Sequence, residues 1–248
     1  MRAALAVEWL KLRRARTVLV ATVLLLVAPP GLALVMVRVS GARTALGAKA
    51  GGLAGGGWEA YLSALTQMTG AFTLLGTGIV AAWALGREFV DRTVGSLFAT
   101  ATGRDAVAAA KTLLVVAWGV GVGVLTPVVA GAVGLMMGWP TEGDVYGLVR
   151  LGVVAVLTAF LAPAGALAAS VGRGYLPAVA VLIGLTLVAQ IAATLPAGCW
   201  FPWSVPTLWA LGPALGAPVP AVRLLVVPVT GAALTAVTYA WWQRLTLA

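Results

Sequence analysis

The sequence predicts an all-α integral membrane protein of six transmembrane helices, and three observations carry that prediction. Hydrophobic residues make up 61% of the chain and charged residues only 9%, against about 25% charged in an ordinary soluble domain. Six apolar runs are each long enough to cross a bilayer, since about 18 such residues in a helix span the roughly 30 Å hydrocarbon core. The charges gather between those runs. The runs cover about 17–37, 62–85, 112–137, 147–170, 175–195 and 221–243, so residues 1–248 read as a single transmembrane domain.

Ahead of the first run, AVEWLKLRRAR forms an amphipathic helix. Leu5, Trp9 and Leu12 recur at i, i+4 and i+7, while Glu8 and Lys11 point elsewhere. Such a helix lies flat on a membrane face, with Lys11, Arg13 and Arg14 toward anionic lipid. The 17–37 run is a retained span, because the core of a signal peptide is only about 7–15 residues. Residues 40–60 form a loop whose GGLAGGGW lacks the Lys-Ser/Thr ending of a phosphate-binding loop and reads as a linker. GTGIVA at 76–81 matches a dinucleotide fingerprint by letters alone and lies in the middle of the second span.

Between the second and third spans, Arg87, Glu88, Asp91, Arg92, Arg104, Asp105 and Lys111 bring both signs of charge into one stretch. Residues 88–99, EFVDRTVGSLFA, predict a short amphipathic helix. Val90, Val94, Leu97 and Phe98 form its apolar stripe, and Glu88, Asp91 and Arg92 its other face. A helix that only binds lipid is mainly basic, so acids beside Arg87 and Arg92 favour a protein partner, where paired charges set register. Arg104, Asp105 and Lys111 start the third span. Pro29-Pro30, Pro127, Pro163 and Pro228 and the glycines of GVGVG at 119–123 lie within spans, where prolines kink helices and glycines let them approach. Residues 196–218 are too proline-broken to span. They read as short outer helices bearing Trp200, Phe201, Trp203 and Trp209, either over a vestibule or as an aromatic anchor.

Basic residues orient the chain. With the N-terminus in the cytoplasm, eleven Lys and Arg fall inside, while Arg38, Arg43, Lys49, Arg150 and Arg223 fall outside. Both termini are therefore expected in the cytoplasm. The net charge of +9 is a topology signal rather than a nucleic-acid footprint, since no basic stripe interleaves with aromatics.

There is no histidine and a single cysteine, Cys199, which removes histidine catalysis, cysteine-cluster metal sites and an intrachain disulfide. None of the seven acids lies in mid-span, where a proton- or sodium-coupled carrier keeps an ionisable group. Thr73, Thr77, Thr126, Thr158, Thr186 and Gln190 lie at depth and read as groups joining helices. The expectation is a chain that is not an enzyme, binds no cofactor, and draws energy for any uphill transport from a partner.

EWLKLRR at 8–14, with Gly86-Arg87-Glu88, Arg92-Thr93, Gly103-Arg104 and Lys111 in that order, resembles the permease subunits of type-two ABC transporters. The similar branch is the compact six-span one of bacitracin and lantibiotic self-protection exporters. The likeness covers nearly the whole chain in topology and about 33 residues in motif. Here Val94 follows Thr93, and Thr102-Gly103 stands where a proline often precedes the arginine. The resemblance implies a bacterial plasma-membrane exporter subunit with a separate ATPase that holds ATP and Mg²⁺. It implies a second permease around a shared path, and a cytoplasmic coupling helix with Arg87, Glu88, Phe89, Asp91, Arg92, Thr93 and Leu97 at the ATPase interface. An amphiphilic, peptide or drug-like cargo is expected. A stand-alone secondary carrier or channel, and a membrane scaffold or assembly factor, are the alternatives.

Overall fold

The computed structural model describes residues 2–39, 57–93, 95, 103–139, 144–212 and 217–245, and no strand occurs among the described residues. The helices are α1 (Arg2–Arg14), α2 (Arg16–Val39), α3 (Gly57–Val90), α4 (Arg104–Met136), α5 (Val145–Ala159), α6 (Pro163–Val171), α7 (Tyr175–Ala193), α8 (Val205–Leu211) and α9 (Val226–Arg244). Short 3-10 turns at Pro196–Trp200 and Ala221–Leu225 lead into α8 and α9. Six segments are long and apolar enough to cross a membrane: α2, α3, α4, α5 with α6, α7, and the segment Ala221–Arg244. All six predicted spans are therefore present. Most of the predicted 40–60 loop lies outside the described residues.

The fourth span breaks at Pro163, between α5 and α6. A proline ring clashes with the carbonyl four residues back and donates no hydrogen bond. The chain from Phe160 to Ala162 responds by tightening: Phe160, Leu161 and Ala162 donate to Leu157, Thr158 and Ala159 at 3.0, 3.0 and 3.1 Å. Pro29-Pro30 and Pro127, by contrast, lie inside continuous helices.

The third helix and the broken fourth span form the centre. α3 packs on α2, α4, α5, α6, α7 and α8. Of their apolar windows, 56% of α3 and 67% of the fourth span are buried, against 17% of the fifth and sixth spans. Between membrane helices the driving force is close van der Waals contact, and glycine supplies it. A β-carbon on Gly165 of α6 would meet the backbone of Gly78 of α3, and one on Gly231 of α9 would meet the carbonyl of Phe160 at the break. Three of the five deep threonines expected to join helices turn back on their own helix instead. Thr77, Thr126 and Thr186 donate to carbonyls four residues back in their own helices, at 2.6, 3.0 and 2.8 Å. Where neither water nor another helix offers an acceptor, that carbonyl is the nearest one.

Each end of the bundle has an aromatic cluster. At one end Tyr61 lies between Trp58 and Trp139, with ring centroids 5.7 and 5.3 Å away. There Asp144 takes two bonds, from the Trp58 indole N–H at 2.9 Å and from the Gly147 amide at 3.0 Å, which caps α5. Asp144→Ala removes a cap and strands a buried indole. The expected loss is about 1–2 kcal/mol, read as a lower melting midpoint in detergent; an unchanged midpoint would show that the cap is redundant. Trp118 of α4 donates to the Thr22 hydroxyl of α2 at 3.0 Å.

Helix termini carry a further asymmetry. α4 ends at Gly138 with a left-handed φ of 67°, and Trp139 and Gly138 donate back to Gly134 and Leu135. This is the usual glycine-terminated motif. α3 and α6 end in the same way, but the left-handed residues are Arg92 (φ 55°) and Arg173 (φ 51°). Thr93 donates to Glu88 and Arg92 to Phe89; Gly174 donates to Ala169 and Arg173 to Ser170. A side chain in that conformation costs about 1–2 kcal/mol relative to glycine.

Candidate functional site

The polar centre of the molecule lies at the opposite end from Asp144, where α1, the last turn of α3 and the first turns of α4 meet. α3 runs on past its apolar stretch to Val90, and α4 begins at Arg104, two turns before its own. These extensions hold ionisable groups, and Arg87, Glu88 and Lys111 among them are partnered. Lys111 of α4 donates to Glu8 of α1 at 2.7 Å and reaches Glu88 of α3 at 2.9 Å. Its side chain is 2% exposed and both carboxylates are 7% exposed. Around this core, Lys11 donates to Glu8 at 2.7 Å, the Thr93 hydroxyl donates to Glu88 at 2.6 Å, and the Arg87 Nε stands 3.8 Å from Glu88. Arg87 also lies 4.8 Å over the Trp83 ring.

One ammonium between two carboxylates, with cations on the rim, leaves no buried charge uncompensated. That matters because an isolated buried ion costs several kcal/mol, whereas a fully paired one is tolerated. The cluster is a mechanical tie as well. It fixes α1 to α3 and α4 through bonds that survive only if all three helices keep their relative positions. Beside it, Phe89 packs on Trp241 and Trp242, with centroids 6.0 and 5.6 Å apart, and Trp242 is 1% exposed. The end of α9 therefore joins the same body.

Several sequence expectations need correcting. No separate helix begins at Glu88, because residues 88–90 continue α3 and Asp91–Thr93 form the turn that ends it. Glu88 and Phe89 face the bundle, whereas Asp91, Arg92 and Thr93 are exposed. The cause is Lys111, whose ammonium draws Glu88 inward. Leu97, Phe98 and Val94 lie outside the described residues. On α1 the predicted stripe is rotated. Ala4, Glu8 and Leu12 are buried, Trp9 is 48% exposed, and Arg13 and Arg14 are exposed. In the sequence Lys111 reads as a span starter and a motif residue, and its place as the hub of the cluster is not legible there. The available signal was two acids and one lysine, each at the edge of a helical run and all assigned to one side of the membrane.

At the Asp144 end, a cleft of about 200 Å³ opens between α3, α7 and α8, lined among others by Gln67, Gln190, Thr207 and Trp203. Of the four predicted aromatic residues only Trp203 lines it. Phe201 packs on Trp203 at 5.2 Å, Trp200 is exposed with Arg223 4.7 Å over its ring, and Trp209 lies 5.6 Å from the Arg150 guanidinium. The two predicted short outer pieces correspond to Pro196–Trp200 and α8.

Comparison with known proteins gives one match. Neither the search of curated proteins nor that of solved structures found one. The family model described as ABC-2 family transporter protein matches residues 4–192, which takes in α1, the Glu8–Lys111–Glu88 cluster and the first five spans. With that much of its length matched and six helices able to cross a membrane, the chain belongs to the ABC-2 transporter family, as a multi-pass membrane component.

Proposed function

We propose that this chain is the permease subunit of an ATP-driven exporter in a bacterial plasma membrane. A separate ATPase subunit, which holds ATP and Mg²⁺, binds at the Lys111 end. Both termini lie on that cytoplasmic side, and a second copy or a homologous permease completes the path. The cargo is amphiphilic, peptide or drug-like, in the manner of the bacitracin and lantibiotic self-protection exporters, and the cleft at Gln67, Gln190 and Trp203 lies along its route. The buried ion cluster carries this reading. Asp91 and Arg92 project beyond it, and Thr93 ties the turn to Glu88, so a partner that moves the 91–93 turn moves α3, and through Lys111 it moves α4 and α1 as one body. The sequence offers no nucleotide-binding motif of its own, which supports a reading with hydrolysis on a partner. The left-handed Arg92 supports the same reading, because backbone strain at a non-glycine residue is retained where its side chain has a task.

Reconstitution with the ATPase in proteoliposomes tests this. Asp91→Lys with Arg92→Glu should lower transport-coupled ATP hydrolysis about tenfold through like-charge contacts, with an unchanged melting midpoint. Normal coupling in that variant removes the 91–93 turn from the ATPase interface. Transport by the chain without any ATPase makes it a secondary carrier.

A further inference from the structure

At the Lys111 end, α6 and α9 finish side by side and leave a groove of about 360 Å³, lined by Arg173, Val237, Ala240, Trp241, Arg244 and Leu245. Its walls differ in chemistry. Arg173, from the turn after α6, and Arg244, the last residue of α9, place two exposed guanidinium groups at the groove. Among the described residues neither has an ion pair. Val237, Ala240 and Trp241 supply an apolar strip along α9, and Val237 is 53% exposed.

The groove is built rather than incidental. The Trp242 indole donates to the Ser170 hydroxyl at 2.9 Å, a buried bond that fixes the end of α9 on α6. Trp241 is held in turn by Phe89 and Trp242, at centroid distances of 6.0 and 5.9 Å. Arg173 occupies its left-handed position between Gly172 and Gly174. Glycine would fit that position without strain, yet it carries a cation with no partner in the described chain.

We propose that this groove binds an anionic phospholipid of the adjoining leaflet, its phosphate between Arg173 and Arg244 and an acyl chain along Val237, Ala240 and Trp241. Two unpaired guanidinium groups at the end of a span are suited to a phosphate, which they bind in a fork. The apolar strip distinguishes a lipid from a soluble anion, and basic pockets between spans at this depth recognise such headgroups. The strip also belongs to a span of which only 17% is buried, so it faces the bilayer rather than a soluble partner. A bound lipid would bridge the ends of α6 and α9 beside Phe89, at the edge of the ion cluster.

Native mass spectrometry of the full chain tests this, with dioleoylphosphatidylglycerol and dioleoylphosphatidylcholine as probes. The wild type should retain phosphatidylglycerol in clear preference to phosphatidylcholine. Arg173→Gly, which relaxes the turn and keeps the fold, and Arg244→Gln should each lower that retention about fivefold. Arg223→Gln, at the other end over Trp200, should leave it unchanged. Equal retention of the two lipids, or undiminished retention in both groove variants, overturns the proposal. So does release of the lipid by millimolar inorganic phosphate, which would mark a plain anion site. Loss of ATPase binding with lipid retention intact would make the groove a protein-docking surface and overturn it too.

Discussion

Lys111→Met should lower the stability of the protein by about 3–5 kcal/mol, the cost of leaving buried charges without their partner. For a chain of this size that corresponds to a melting midpoint lower by roughly 10 °C in a fixed detergent. The reason is geometric. Lys111 is the only cation that touches both Glu8 and Glu88 among the described residues. Without it Glu8 keeps Lys11, and Glu88 keeps the Thr93 hydroxyl and the longer 3.8 Å pair with Arg87, but two carboxylates then face one apolar space. Lys11 is 41% exposed and screened by solvent, so it offsets little of that repulsion. The neutral triple variant Glu8→Gln, Lys111→Met, Glu88→Gln should recover most of the loss, because replacing a whole buried ion cluster by neutral groups of similar volume is often close to neutral. The two variants together separate charge compensation from shape. If Lys111→Met melts with the wild type, the cluster holds no structural weight. If the triple variant melts as low as the single one, packing rather than charge is what Lys111 supplies.

The same cluster shows where sequence reading reaches its limit. Each span was legible because an apolar run is a local property, but which span proline breaks its helix was not, since Pro29-Pro30 and Pro127 lie inside continuous helices while Pro163 starts a new one. The hub was not, since Lys111 and Glu8 are 103 residues apart and nothing local to either names the other. Periodicity misled on α1. Leu5, Trp9 and Leu12 make an acceptable stripe, but packing chose Ala4, Glu8 and Leu12 because a buried cation lay opposite. A hydrophobicity pattern cannot anticipate a buried acid whose partner is on another helix. The start expected for a separate helix at residue 88 was displaced for a related reason. Charge looked like a span boundary after residue 85, yet paired charge let α3 continue to Val90.

Gly165→Ala should cost about 2–3 kcal/mol, the second large effect, and it arises where no polar group is involved. The new methyl would meet the carbonyl oxygen, carbonyl carbon and Cα of Gly78. These are backbone atoms of a central helix and have no rotamer by which to give way. α3 and α6 would have to separate, and a gap of even 0.5–1 Å forfeits a quarter to a half of each contact's dispersion energy. In a bilayer nothing replaces that loss, because lipid tails are as apolar as the side chains they displace. Gly184→Ala on α7 is the matched control. Its β-carbon meets nothing within 4 Å, so the same chemical change should stabilise by about 0.5–1 kcal/mol through helix propensity alone. Opposite shifts of the two melting midpoints are the expected result, and equal shifts would show that the Gly78–Gly165 crossing has room to spare. The crossing matters beyond stability. It joins the two helices whose ends carry the left-handed Arg92 and Arg173, so under the proposed function a displacement begun at the 91–93 turn would reach the fourth span through this contact. A methyl group at Gly165 should therefore weaken coupling as well as packing. Exposed changes such as Asp91→Lys with Arg92→Glu should weaken coupling alone, which lets paired melting and ATPase measurements assign each residue to one role or both.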